Sequence, residues 1–156
     1  TMKSWFVKLG RSFFNALTGI TQALKKQQNL RIDFFVGGLV LFLTFFLPLS
    51  TFEILWVVFS VFLVIVFEML NSLVESLLDL FYPFFHEEVK KAKDLAAGIV
   101  LVTAVFAVSV GLIIFGKHLF HLPDLIGLFA FFLFIVTLLL LIGKGMTHGD
   151  HSRTHL

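Results

Sequence analysis

The sequence predicts an all-α membrane protein, built from an N-terminal amphipathic surface helix, three transmembrane helices and an additional fourth transmembrane helix near the C-terminus. Hydrophobic residues make up 58% of the 156 residues, and 22 residues are Phe. The mean hydropathy of +1.00 is too high for a soluble domain of this length. Charged residues make up only 14% of the chain, and they stand in short groups between long apolar runs.

Residues 1–30 form the predicted amphipathic helix. Its apolar residues recur at helical spacing and its basic residues lie off that stripe, as expected for a helix on an anionic membrane surface. The alternative, that the stripe packs on other helices, stays open at this point. The stripe consists of Phe6, Leu9, Phe13, Leu17, Ile20 and Leu24, and the basic residues are Lys3, Lys8, Arg11, Lys25 and Lys26.

The rest of the chain alternates between apolar runs and short polar connections. The runs are long enough to cross a bilayer as helices, and the second one is expected to leave the membrane near Leu73 and extend into the cytoplasm. The predicted boundaries are 31–118 for the transmembrane core, about 32–47, 54–81 and 95–116 for its spans, 119–143 for the fourth helix and 144–156 for a polar tail.

The placement of Lys and Arg predicts the topology. Eleven of the twelve lie in the N-terminal region, in the loop of residues 82–94 or in the tail, and only Lys117 lies on the other side. Positively charged connections stay on the cytoplasmic side of a membrane. Both termini and the 82–94 loop are therefore expected in the cytoplasm.

Polar residues interrupt the second span on one face. Glu68, Asn71, Glu75 and Asp79 fall within an arc of roughly 80°, given about 100° per helical residue. A carboxylate in the bilayer core costs about 2.5–3.5 kcal/mol even on the lenient insertion scale. Such an acidic stripe therefore predicts a functional site.

The acidic stripe belongs to the cytoplasmic half of the membrane. About 20 residues from Ile54 cross a core of ~30 Å, which places Glu68 roughly 8 Å inside the inner boundary. Between Ile54 and Phe67 the only polar residue is Ser60, which argues against an ion or proton path. This depth favours a reaction between a water-soluble reagent and a lipid headgroup.

The residue types favour phosphoryl transfer. Carboxylates near a multiply charged anion commonly hold Mg²⁺, which prefers oxygen ligands and bridges phosphates. Positive charge follows in the next loop, with His86 and three lysines between residues 90 and 93. Acid, metal and lysine at one interface are the components of phosphoryl-transfer sites. The alternative is that Glu68 and Glu75 pair with basic residues of other helices for assembly.

Residues 68–79 read E-M-L-N-S-L-V-E-S-L-L-D and are followed by His86 and by A-K-D-L-A-A-G at residues 92–98. This pattern of E-x-x-N-[ST]-x-x-E-x-x-x-D, a His seven residues later and then A-K-D resembles the prokaryotic integral-membrane diacylglycerol kinase family, which includes undecaprenol kinases. Gly19-Ile20 and N-L-R-I at residues 29–32 are similar to the family's first-helix pattern. The resemblance covers about residues 11–116.

The resemblance implies a homotrimer in the bacterial inner membrane, with active sites between neighbouring subunits. It implies transfer of the γ-phosphoryl group of ATP to a lipid hydroxyl with the help of Mg²⁺. By position in the motif, Glu68 is expected to be the catalytic base and Glu75 a metal ligand. The residues expected to line the nucleotide and phosphate site are Asn71, Asp79, His86, Lys93 and Asp94.

Two features depart from the family pattern. Gln27 stands where the family has a metal-binding glutamate, so it is expected to be a weak Mg²⁺ ligand without charge. The fourth helix is absent from the typical member, and we expect it to contact other membrane subunits or to cover the trimer. Both departures favour an alternative function, that of a weakened or inactive family member acting as a structural subunit.

The acceptor lipid is expected to be either undecaprenol or diacylglycerol. The N-L-R-I and A-K-D-L-A-A-G segments resemble the Gram-positive branch and favour undecaprenol. No basic groove interleaves the Phe residues, so a nucleic-acid partner is not expected.

Other polar residues have simpler interpretations. Asp94 precedes an apolar run and is expected to cap a helix as well. His118 and His121 are expected to be interfacial residues of the outer side without an acidic cluster nearby. The histidines of the C-terminal tail are expected to be solvated.

Overall fold

The computed structural model describes residues 2–148, with side-chain surroundings for residues 5–140. This part of the chain consists of helices and short connections and contains no strand, which confirms the all-α prediction. The final residues of the tail, 149–156, lie outside the described residues. The helices are α1 (Met2–Lys26), α2 (Gln28–Leu43), α3 (Thr51–Phe81), α4 (Glu87–Phe120) and α5 (Leu125–His148), with a 3-10 turn at Thr44–Phe46 after α2.

Three segments of the described chain are long and apolar enough to cross a membrane, namely Gln28–Phe46, Thr51–Phe81 and Glu87–Phe120. The apolar part of α5, Leu125–Leu140, is shorter. At 1.5 Å per residue, the 31 residues of α3 span roughly 46 Å. Because the bilayer core is only ~30 Å thick, α3 continues beyond it.

The apolar stripe of α1 is largely uncovered by protein. Phe6, Leu9, Phe13 and Leu17 are exposed, and only the stripe's C-terminal end is partly covered. A helix of this kind buries its stripe in the interfacial region of a membrane. The exposed stripe therefore agrees with the predicted surface helix.

Gln27 separates α1 from α2. Its backbone is extended, with φ −103° and ψ 116°, while its N–H still donates to the carbonyl oxygen of Ala23 at 2.9 Å. The chain thus turns from the surface helix into the first span at this residue. The Gln27 side chain is positioned at the corner where α1, α2 and α3 meet.

A capping box begins α3. The Ser50 hydroxyl accepts from the backbone N–H of Glu53, and the Glu53 carboxylate accepts from the backbone N–H of Ser50. This reciprocal arrangement satisfies N–H groups that a helix start leaves unpaired. Glu53 Oε1 also lies 3.1 Å from His118 Nε2 near the end of α4. The α3–α4 hairpin thus brings a single carboxylate, that of Glu53, beside His118.

The α4–α5 corner is tight. His121 ends α4 in the left-handed region at φ 53°, and the N–H of Leu122 donates to the carbonyl oxygen of Gly116 at 3.1 Å. α5 then folds back along α4. A Cβ atom at Gly127 would lie only 2.5 Å from the carbonyl oxygen of Ser109, so the two backbones approach as closely as small residues permit.

The protein interior is small and unusually polar. Among the described residues, the buried hydrophobic side chains are Leu30, Val57 and Ile114, while many large apolar residues are exposed. Such outward-facing apolar surface is typical of helices in lipid. The buried polar side chains are Ser60, Glu68, Asn71, Ser72, Thr103 and Ser109, half of them in the acidic-stripe region of α3.

Candidate functional site

Glu75 lies at the centre of a polar cluster that it forms with Gln27 and Asn71. Its carboxylate accepts from the Gln27 amide, with Nε2 to Oε2 at 3.4 Å, and from the Asn71 amide, with Nδ2 to Oε1 at 3.3 Å. Asn71 precedes Glu75 by one helical turn on α3, so the two side chains lie on the same face. Gln27 joins them from the corner between α1 and α2. The structure thus places Gln27 beside the residue predicted to bind metal.

Glu68 lies deeper along the same face of α3. Its side chain is only 4% exposed, and the side chain of Asn29 from α2 lies near its carboxylate. The charged groups that interact with its carboxylate are those of Asp33 and Glu75. The structure therefore surrounds the predicted base with two further acids and an amide.

Asn29 and Asp33 lie near the site although their positions in the sequence do not predict it. These residues are four apart on α2, so they face the same side of that helix. Their spacing is the same kind of signal that identified the acidic stripe on α3. The signal is weak in the sequence because Asp33 stands near the boundary of an otherwise apolar run.

Asp79 and Lys93 join the C-terminal end of α3 to the N-terminal part of α4. The Lys93 ammonium group contacts Asp79 Oδ1, and the side chains are 31% and 68% exposed. This pair brings together two residues predicted to line the nucleotide site. It also leaves the lysine accessible from the predicted cytoplasmic side.

His86 and Asp94 lie at the rim of the site. His86 occupies the N-cap position of α4 without a side-chain cap bond, and its ring packs edge-on against Tyr82 with 5.8 Å between centroids. Asp94 is exposed. The expectation that Asp94 caps a helix is wrong, because α4 already begins at Glu87.

The donor set around Glu75 fits Mg²⁺ in chemical type. Within the described residues, no group of three or more His, Asp or Glu side chains is arranged to hold a metal. The oxygen ligands available are one carboxylate and two amides, those of Asn71 and Gln27. Asn71 Oδ1 is buried and has no hydrogen-bond partner, so an oxygen acceptor is left free beside the Glu75 carboxylate. Hard cations prefer such oxygen ligands.

Two cavities flank the polar cluster. One, of about 220 Å³, lies between α2, α3 and α4, has mostly Val side chains as its walls, and includes Asp33. The other, of about 530 Å³, lies between α1 and α3 and includes Gln27. Each cavity therefore includes one residue of this region: Asp33, which interacts with Glu68, and Gln27, which contacts Glu75.

The helices and the cluster together define a polytopic α-helical membrane protein with an acidic site at one end of its central span. The family model described as prokaryotic diacylglycerol kinase matches residues 14–115. The chain belongs to this family, which confirms the resemblance seen in the acidic-stripe motif. The fourth helix, α5, lies beyond the matched region.

Individual relatives carry two kinds of name. The chain is 39% identical over 101 residues to the diacylglycerol kinase of Synechocystis sp., a match that covers 64% of this chain and 58% of the relative. It is 34% identical over 107 residues to the undecaprenol kinase of Bacillus subtilis, covering 67% of this chain and 85% of the relative. The diacylglycerol kinase of Haemophilus influenzae is 37% identical over 79 residues, covering 51% and 67%.

Proposed function

We propose that this protein is a lipid kinase that transfers the γ-phosphoryl group of ATP to the hydroxyl of a membrane lipid, diacylglycerol or undecaprenol, at the cytoplasmic face of the bacterial inner membrane. The observation that carries the proposal is the buried Glu68 carboxylate beside the cluster formed by Gln27, Asn71 and Glu75. Relatives named diacylglycerol kinase and undecaprenol kinase support this class of acceptor.

In this reaction Glu68 acts as the general base. The acceptor oxygen attacks the γ-phosphorus of ATP, the bond from that phosphorus to the bridging oxygen of ADP breaks, and Glu68 takes the hydroxyl proton. Asn29 lies near the Glu68 carboxylate and is proposed to orient it. Because Glu68 is buried, water is kept away from the group that must activate the lipid hydroxyl.

Glu75 and Asn71 are the proposed metal ligands, with Gln27 as a weak third ligand. A bound Mg²⁺ would neutralise negative charge on the phosphates. Asn71 Oδ1 is the buried acceptor that lacks any other partner. Gln27 can contribute its carbonyl oxygen if its amide turns away from Glu75.

Lys93 is proposed to bind the nucleotide phosphates, with Asp79 holding its ammonium group at the mouth of the site. His86 and Asp94 lie on the exposed rim and are proposed to contact the nucleotide. We also propose that the protein is a homotrimer whose sites lie between subunits. The family match over residues 14–115 supports this assembly, and α5, which lies beyond the match, offers a further surface for other membrane subunits.

The test is a radiolabelled-ATP assay on the purified protein, with diacylglycerol and undecaprenol supplied side by side. We expect Mg²⁺-dependent transfer of label to at least one of the lipids. Absence of transfer to both would support the second candidate function, an inactive family member serving as a structural subunit. That alternative is favoured by one specific observation, the neutral Gln27 bonded to Glu75 where a second acid is expected.

A further inference from the structure

The connection between α3 and α4 exposes a group of large apolar side chains, which we call the aromatic patch. Phe84 and Phe85 are each 82% exposed, and Leu80, Phe81 and Tyr82 beside them are exposed as well. A contiguous apolar surface of this kind is unfavourable in water and marks a site of contact with a membrane or with another molecule. The composition of the patch alone does not decide between these two.

The aromatic patch continues an apolar stripe of α3. This stripe consists of Leu70, Leu73, Leu77 and Leu80, which are all exposed. At about 100° per residue, it lies about 180° around the helix from the acidic stripe. An exposed apolar face of a membrane helix meets lipid, which is as apolar as leucine. The patch is therefore continuous with a lipid-facing surface.

The length of α3 places the aromatic patch near a membrane surface. The helix has 31 residues and is roughly 46 Å long, close to the ~40–45 Å of a bilayer with its headgroup layers. At its N-terminus, the capping box of Ser50 and Glu53 is polar and exposed, so this end lies at one membrane surface. The other end, at Phe81, therefore reaches the headgroup layer of the opposite surface.

The patch is joined to the mouth of the candidate site. The Tyr82 ring packs edge-on against His86 at the start of α4. The Asp79–Lys93 pair connects the two helices on either side of the loop. A contact that fixes the patch therefore also fixes the position of these polar side chains.

Aromatic side chains, more than charges, carry the contact of this loop. Phe and Tyr combine a large apolar ring with a polar edge, and Tyr and Trp are enriched at the headgroup level of membranes. The loop and the first turns of α4 hold three acids and three lysines, namely Glu87, Glu88, Asp94, Lys90, Lys91 and Lys93. Because these charges balance, attraction to anionic lipid is not the main force. Burial of the exposed rings is the force that remains.

We propose that the aromatic patch is a membrane anchor, in which Phe81, Phe84 and Phe85 lie at the boundary between headgroups and acyl chains. The anchor acts on the side of the membrane that holds the polar cluster. Its partner is the lipid interface itself, and it keeps Asp79 and Lys93 at the membrane surface. The inference does not depend on the proposed kinase function.

The first test uses tryptophan as a depth reporter in nanodiscs of phosphatidylcholine with brominated acyl chains. Trp5 and Trp56 are replaced by Phe, so that Phe84→Trp supplies the only tryptophan. Bromine should quench the fluorescence of Phe84→Trp strongly, most of all when it lies near the headgroup end of the chains, and aqueous acrylamide should quench it weakly. Glu88→Trp, at an exposed position in the first turn of α4, is the control and should show the opposite pattern.

The second test removes the two most exposed rings of the patch. In the same tryptophan-free background, Tyr82→Trp reports on the loop. Adding Phe84→Ser and Phe85→Ser should make acrylamide quench this reporter several-fold more strongly, because the loop leaves the lipid interface. Phe45→Ser with Phe46→Ser removes two exposed rings at the connection between α2 and α3 and should leave the quenching unchanged.

Three outcomes overturn the inference. The first is equal acrylamide quenching of Phe84→Trp and Glu88→Trp without quenching by bromine, which would place the patch in water. The second is protection of Phe84→Trp from both quenchers, which would assign the patch to a second copy of this chain. The third is weak quenching by bromine together with protection from acrylamide by ATP, which would assign the rings to nucleotide binding.

Discussion

At the scale of single residues, Glu75 accepts hydrogen bonds from two amides, and one of these belongs to Gln27. A glutamate at residue 27 would instead face Glu75 as a like charge. Two carboxylates at this separation repel each other unless a cation lies between them. The neutral Gln27 avoids this repulsion, and we expect it to lower the requirement of the proposed site for Mg²⁺.

Gln27→Glu should consequently make the protein more dependent on Mg²⁺. We expect a lower melting temperature without Mg²⁺ and a half-saturating Mg²⁺ concentration for turnover that falls roughly tenfold, equivalent to about 1.4 kcal/mol. Gln28→Glu is the control, because it adds the same charge at an exposed neighbouring position. Equal Mg²⁺ responses in the two variants would remove Gln27 from the metal site.

Lys93 offers a second test at this scale. Its pair with Asp79 is partly exposed, and exposed pairs contribute only about 0.2–1 kcal/mol to stability. Lys93→Gln should therefore change the melting temperature little but raise the KM for ATP at least tenfold. Lys91→Gln removes a lysine that pairs with Glu87 and Glu88 on the outside of α4, and it should leave that KM unchanged. A normal KM for ATP in Lys93→Gln would exclude the phosphate-binding role.

At the scale of helices, α5 distinguishes this chain from the matched part of its family. The close approach of Gly127 to Ser109 and Ile113 shows that α5 packs against α4 with little space between the backbones. In a membrane, such packing of small residues stabilises helix pairs without a hydrophobic driving force between them. α5 is therefore an integral part of the protomer.

Gly127→Leu should separate α5 from α4. The added Cβ would lie 2.4 Å from Ile113 Cγ1 and close to backbone, and overpacking of this kind costs roughly 1–3 kcal/mol. We expect a clearly lower melting temperature in detergent. Gly38→Leu on α2 is the control, because nothing lies within 4 Å of a Cβ there. The same melting temperature for both variants would show that the α4–α5 contact is not tight.

Much at this scale was predictable from the sequence. The apolar runs predicted the spans because a helix must be about 20 residues long to cross a bilayer. Helical spacing predicted that Glu68, Asn71 and Glu75 share one face of α3. Contacts between helices were not predictable in the same way. The pairing of His118 with Glu53, and of Gln27 with Glu75, depends on how the helices meet, which a single helix's periodicity does not encode.

Helix ends were also harder to predict than helix faces. Asp94 has the residue type and sequence position of an N-cap, but the charged residues before it continue the helix back to Glu87. Acids at the start and lysines one turn later support that extension, as Lys91 does with Glu87 and Glu88. Local stabilisation of this kind extends a helix beyond its apolar run.

At the scale of the whole molecule, the predicted topology places the polar cluster, the Asp79–Lys93 pair and the larger cavity on the cytoplasmic side. The chain contains no cysteine, so single cysteines can report sidedness without background. In sealed right-side-out vesicles, Pro48→Cys should react with a membrane-impermeant maleimide and Glu88→Cys should not. Both positions are exposed in the protein, so burial does not confound the comparison. The reverse pattern would place the site on the wrong side for cellular ATP.

The proposed trimer and the proposed kinase activity are linked at this scale, because the proposed sites lie between subunits. Loss of activity in a variant is informative only when the oligomer is intact. The Glu68 side chain is buried within one protomer, so a change of Glu68 to its amide should not disturb the outer surfaces of the molecule. This makes Glu68 the residue of choice for the decisive comparison.

The most direct measurement is turnover of Glu68→Gln beside the wild type, with radiolabelled ATP and Mg²⁺, on protein of verified oligomeric state. Glu87→Gln, an exposed acid outside the cluster, is the matched control. If Glu68 takes the acceptor proton, Glu68→Gln should lose at least 10²-fold in kcat while keeping its oligomer, and Glu87→Gln should turn over normally. Phosphorylation by Glu68→Gln at the wild-type rate would contradict the account.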